Sequence, residues 1–147
     1  MQLIVFKLGN EEYGLTIDQI KEVVLTPTIT KVPLAAQYIK GVANVRGNIL
    51  AVVDLEDRFS LNGAKQPDVK HNYTLVVESE DVKMGILVKE VPNTLTIADD
   101  SIDDSPNIIQ DQTNDKNYIK GIVKLPNRLI ILIDIFKVIA KEEVSKI

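Results

Sequence analysis

The residue types that could do chemistry are few, and their spacing does not assemble a reaction. His71 is the only histidine, and the chain has no cysteine. No Ser/His/Asp arrangement surrounds His71 and no thiol can partner it, so nucleophilic acyl chemistry has no signature here. It also lacks a second histidine with which to share a metal. The acidic doublets Asp99-Asp100 and Asp103-Asp104 could gather a cation. They lack the alternating ligands and central glycine of a calcium loop, and a solvated acidic loop is the plainer reading. Asp54 and Asp134 could be offered as paired carboxylates for acid–base work. Each stands just before a short apolar pattern at helical spacing, where a helix cap accounts for it. No Gly-x-Gly-x-x-Gly or Walker sequence is present to cradle phosphate. The expectation is a chain with no catalytic residues, no metal and no cofactor, and therefore not an enzyme.

Composition narrows the partners. A net charge of -4 and aromatics at 5% argue against a basic or base-stacking nucleic-acid surface. Absence of cysteine fits a reducing compartment. The segment from Met1 to Glu12 has no basic start and no long apolar core, so it does not read as a signal peptide. The run from Leu129 to Ile133 is far too short to span a bilayer. A cytoplasmic protein with no direct membrane insertion is expected, and the sequon Asn72-Tyr73-Thr74 is then a coincidence.

Strand signals dominate the elements that would position any surface. Short runs rich in Val, Ile and Leu, broken by Gly, Pro and Asn, predict strands over 3–8, 12–17, 22–25, 39–45, 48–53, 72–79, 82–88, 93–97, 118–125 and 128–133. Turns are expected at Asn10-Glu11, at 79–81, and at Arg46-Gly47 and Pro126-Asn127, where Gly or Asn tolerates positive φ. Helices are few: Asp134 caps one carrying Ile135, Val138 and Ile139, Asp54 opens a shorter one with Leu55 and Phe59, and Asp18 caps a single turn.

The most informative pattern is a repeat. Tyr38-Ile39-Lys40-Gly41-Val42 recurs as Tyr118-Ile119-Lys120-Gly121-Ile122, an offset of 80 residues (38 to 118), and Asn48 to Leu55 aligns without a gap to Arg128 to Ile135. Each copy reads glycine, strand, tight turn, strand, aspartate, helix. A weaker pair matches Gly14-Leu15-Thr16-Ile17 to Gly85-Ile86-Leu87-Val88. Two similar β-barrels are the physical reading. The polar stretch 62–70 suggests subdomains of 1–66 and 67–147, with terminal strands free to cross, and 99–117 reads as a long acidic loop. Arg46 stands on a turn in one copy where the other has Pro126. An arginine the barrel itself does not require is a candidate for recognising a partner. Ile20 and Val24 lie four apart and could form an apolar stripe, although facing the core is the commoner role.

These residues resemble the CheW family. The resemblance is carried by Phe6 to Ile17, by Val32-Pro33 with Tyr38 to Leu55, by Gly85 to Val91 and by Leu129 to Val138. Val45 stands where Leu is usual and Ala51 where Pro is usual. The resemblance implies an all-β fold of two SH3-like five-stranded barrels packed together. It also implies a non-catalytic adaptor, monomeric in isolation and recruited to membrane receptor arrays. Its implied partners are the regulatory domain of the histidine kinase CheA and the cytoplasmic tips of chemoreceptors. Ile20, Glu22, Gly41, Arg46 and Gly47 match the family's interaction positions, and Val91 matches a receptor-contact region. A regulatory domain from a CheA kinase, or the coupling part of a CheW–receiver fusion, would carry the same signature.

Overall fold

A computed structural model describes residues 1–59, 72–79, 82–103 and 118–139. His71, the linker at 62–70, Asp104 and the part of the acidic loop over 104–117 lie outside the described residues.

Among the described residues eleven strands follow in order: β1 (Gln2–Leu8), β2 (Glu11–Thr16), β3 (Ile20–Leu25), β4 (Ile39–Val45), β5 (Asn48–Val53), β6 (Tyr73–Glu78), β7 (Lys83–Val88), β8 (Asn93–Thr96), β9 (Ile102–Asp103), β10 (Ile119–Leu125) and β11 (Arg128–Ile133). Among the same residues are single-turn helices α1 (Leu55–Arg58) and α2 (Ile135–Val138), each following the last strand of a hairpin. Asp54 and Asp134 cap them, accepting from the backbone N–H of Glu56 at 2.9 Å and of Phe136 at 3.1 Å. Asp18 is not a cap. It lies inside a 3-10 turn, Ile17–Gln19, whose N-cap Thr16 makes no side-chain bond to it.

The strands form two sheets, β3-β6-β7-β5-β4 and β8-β1-β2-β11-β10-β9. The expected pair of barrels is thus present as a five-stranded and a six-stranded sheet. The extra strand is the two-residue β9, which has its counterpart in a lone bridge from Thr30 to Val42.

Most strands have both faces covered, which explains their continuous apolar runs. Along β1, Leu3 and Val5 point into the six-stranded sheet with Val123, Ile130 and Leu132. Ile4, Phe6 and Leu8 point the other way, into a seam shared with Leu75, Val77, Met84 and Ile86 of the other sheet. Val45, Leu50 and Val76 fill one end of the five-stranded sheet, and Ala43, Val52 and Leu87 the other. Tyr13, Phe59 and Tyr118 stack in the seam with centroids 5.5 and 5.2 Å apart. Burial there raises the hydroxyl pKa of Tyr13 and Tyr118.

The repeat is complete. Every pairing of β4 with β5 recurs 80 residues on in β10 with β11, including the irregularity between Ile39 and Gly41. A second offset, 71 residues (14 to 85), relates β1, β2 and β3 to β6, β7 and β8 pair by pair. Both parallel junctions agree: Val52 lies opposite Gly85, and Leu132 opposite Gly14. Each sheet, however, takes its β1–β2-type hairpin from one copy and its β4–β5-type hairpin from the other. A cut near residue 66 separates the sequence copies and not the sheets.

Candidate functional site

Glu22, Arg46 and Gly47 come together at one end of the five-stranded sheet. Val45 and Asn48 are partners in the β4–β5 ladder, so the turn is Arg46-Gly47. Both residues have positive φ, 52° and 86°, the signature of a type I′ turn. The right-handed strand twist favours that turn, but its first position favours Asn or Gly. An arginine held left-handed costs roughly 1–2 kcal/mol. The Asn44 side chain steadies the turn by accepting from the Gly47 N–H at 2.9 Å.

The guanidinium reaches across to β3, the opposite edge of the sheet, where Arg46 Nε donates to Glu22 Oε1 at 2.8 Å. The bond ties the two edge strands together. The Arg46 side chain is still 72% exposed, against 20% for Glu22. Among the described residues Nη1 and Nη2 take no acceptor, so a planar donor edge is oriented and left available. A register shift between Ile20 and Glu22 sets this up. It turns Ile20 toward the seam between the sheets and Val24 toward the interior of the five-stranded sheet. Ile20 and Val24 therefore do not form a shared outward stripe.

The remaining candidates lie apart. Gly41 is inside β4 at φ 149°, and a Cβ there would stand 2.1 Å from the Thr30 carbonyl oxygen. Its immediate constraint is backbone packing. Val91 is 59% exposed on the segment joining β7 to β8. Beside it Lys89 donates to the buried Glu56, at 3.1 Å. Glu56 also accepts from the Gly9 N–H at 2.7 Å, joining the first hairpin to α1.

The equivalent end of the six-stranded sheet is built differently. Its turn is Pro126-Asn127, since Leu125 and Arg128 are partners. The expected positive φ at Asn127 is not found. Proline fixes its own φ near −65°, which rules out a type I′ turn, and with Asn127 outside the left-handed region the turn is not type II either. The first hairpin also differs from expectation: it turns at Gly9-Asn10, with Gly9 alone at positive φ.

Sequence reasoning missed a second arginine–glutamate pair at this end. Arg128 donates to Glu12 through Nε at 3.0 Å and Nη2 at 2.8 Å. These bonds hold the Glu12 carboxyl below its ordinary value of 4.5 and raise Arg128. Residues 10–12 and 125–129 line a shallow cleft around the pair. The 71-residue offset places Lys83 where Glu12 stands, and the 80-residue offset places Asn48 where Arg128 stands. The pair is therefore not a repeated feature that the sequence could have signalled.

Asp103 pairs with Lys124 at 3.0 Å, and Asp99 lies 3.8 Å from the amino terminus. Among the described residues no three His, Cys, Asp or Glu side chains gather as metal ligands, and no helix is long and apolar enough to cross a membrane.

Comparison with known proteins shows the family. The family model described as CheW-like domain matches residues 2–143. The chain is 31% identical to "Chemotaxis protein CheW" of Bacillus subtilis over 141 residues, covering 96% of this chain and 88% of that one. It is also 31% identical to the protein of that name in Thermotoga maritima over 144 residues, covering 98% and 89%. The crystal structure of scaffolding protein TtCheW from Thermoanaerobacter tengcongensis superposes with a TM-score of 0.77 at 34% identity, covering 92% of this chain and 86% of that one.

Proposed function

The chain belongs to the CheW-like domain family as a chemotaxis adaptor and not an enzyme, and from that premise we propose that it couples chemoreceptor cytoplasmic tips to the regulatory domain of the histidine kinase CheA. The observation that carries this reading is the exposed Arg46 fork, fixed by Glu22 on a turn that would be less strained without an arginine. An oriented guanidinium suits a carboxylate or an aromatic face on a partner protein. Gly47 lets the turn form, and Ile20 anchors the strand that carries Glu22. Val91 offers a second, apolar contact on the segment joining the two sheets.

Two sheets give two ends, so one copy can hold receptor and kinase at once. Modest affinities suffice, because an array raises effective concentration. The proposed setting is the cytoplasmic face of a receptor array.

Co-precipitation with a receptor cytoplasmic fragment and with the kinase tests this reading. Arg46→Glu should lower capture of at least one of them by about tenfold or more, the scale of a recognition hot spot, while the melting temperature stays nearly unchanged. Undiminished capture of both would remove Arg46 from the site.

A further inference from the structure

We propose that the β1–β2 hairpin is an exchangeable element, and that a second copy of this chain can accept it to form a closed dimer. The hairpin does not pair with the β4–β5 hairpin of its own sequence copy; it sits beside β11 and β8, more than seventy residues on. Its contacts include four antiparallel pairs with β8, three parallel pairs with β11, the bidentate Glu12–Arg128 pair, the bond from the Met1 amine to the Ile97 carbonyl, the bond from the Gly9 N–H to Glu56, and the packing of Ile4, Phe6 and Leu8 into the seam. Another copy presents the same β8, β11, Glu56 and seam residues of β6 and β7, and can make every one of these contacts.

Only the 3-10 turn Ile17–Gln19 ties the hairpin to β3. None of its three residues is buried, and Ile17 is 40% exposed. Among the described residues one side-chain bond holds the turn to the body, from Gln19 Nε2 to Asp134 Oδ1 at 3.3 Å. The flanking residues, Thr16 and Ile20, already have extended backbone, with ψ of 142° and 125°. Straightening three residues would therefore run β2 into β3 as one strand and carry the hairpin away from its own sheet. The matching connection, from β7 to β8, contains Pro92 and the Lys89–Glu56 tie, and is less free to straighten. Exchange through a short hinge is the usual route to such dimers.

The proposed dimer keeps both sheets intact and forms whenever an unfolded or opened hairpin meets a second chain first. Refolding from denaturant at increasing concentration is the test, with oligomeric state read by light scattering. At low conversion the dimer fraction should rise about tenfold for each tenfold rise in refolding concentration, as mass action requires. The dimer should also survive dilution for hours. The absence of native cysteine allows a direct check. Gln2 and Thr96 are exposed partners across β1 and β8. In a Gln2→Cys/Thr96→Cys chain, oxidised after refolding, exchange predicts a disulfide between chains in the dimer fraction and within one chain in the monomer. A dimer whose disulfides all lie within single chains, or no lasting dimer at any concentration, overturns the proposal. If the cysteine chain fails to fold, persistence of the unmodified dimer on dilution decides alone: rapid dissociation also overturns it.

Discussion

The β4–β5 and β10–β11 hairpins have the same register, the same irregularity and the same capping aspartate after them, yet their tips are different objects. Pro126-Asn127 makes a turn without left-handed backbone. Arg46-Gly47 makes one with two left-handed residues, one of them an arginine. Each end of the molecule also carries one arginine–glutamate pair. Arg128 is 36% exposed and meets Glu12 with both edges of its contact satisfied, whereas Arg46 is twice as exposed and meets Glu22 through Nε. The duplicated fold shows what a hairpin needs in order to fold, and Arg46 is not part of it. On the proposed function, the Arg46 tip is the one that meets a partner, and the Arg128 pair is a brace.

The sharpest test of the comparison lies at its two equivalent glycines. Gly41→Ala forces a Cβ to within 2.1 Å of a backbone oxygen at left-handed φ and should cost about 3 kcal/mol or more in urea unfolding. Gly121→Ala meets the Ile102 side chain at 2.7 Å and the Asp103 oxygen at 3.1 Å, without the left-handed backbone. It should cost less, about 1–2 kcal/mol. Equal losses would mean that the two copies are constrained alike there.

Arg46→Asn is the next test. It relieves a left-handed arginine, gaining about 1 kcal/mol, and gives up an exposed ion pair contributing about 0–1 kcal/mol. Stability should hold or rise while partner capture falls. A marked loss of stability would make Arg46 a structural residue like Arg128.

Glu12→Gln probes the brace. The fold holds the Glu12 carboxyl below 4.5, so its pairing stabilises the native state at neutral pH. That contribution fades as acid takes the solution down through 4.5 toward the depressed folded value. The variant should lose up to about 1 kcal/mol at neutral pH, show a smaller loss of stability on acidification, and capture partners as before.

Val91→Ser is the mildest. An exposed side chain on a connecting segment should change stability by no more than about 0.5 kcal/mol. Any fall in receptor capture would then reflect contact alone.

Much of this was legible in the sequence. Alternating and continuous apolar runs located the long strands, the 80-residue offset gave one hairpin of each sheet, and Asp54 and Asp134 announced their helices. The Gly14 and Gly85 segments hinted at the second offset. Which copy pairs with which was not legible, because either pairing buries the same apolar faces. The Ile20–Glu22 irregularity was hidden for a related reason: simple alternation puts Ile20, Glu22 and Val24 on one face, and only the register shift in the pairing with β6 breaks it. Arg46 drew attention through its absence from the other copy, but its partner Glu22, 24 residues earlier, becomes visible only when the edges of the sheet meet.

Chemical-shift mapping on the isotope-labelled chain, titrated separately with the kinase regulatory domain and a receptor fragment, bears most directly on the claim that the Arg46 tip is the outward-facing one. At least one partner should perturb residues 44–48 and Glu22 strongly while the Glu12–Arg128 brace stays quiet. Perturbation centred on 10–12 and 125–129, with 44–48 unmoved by either partner, would contradict it.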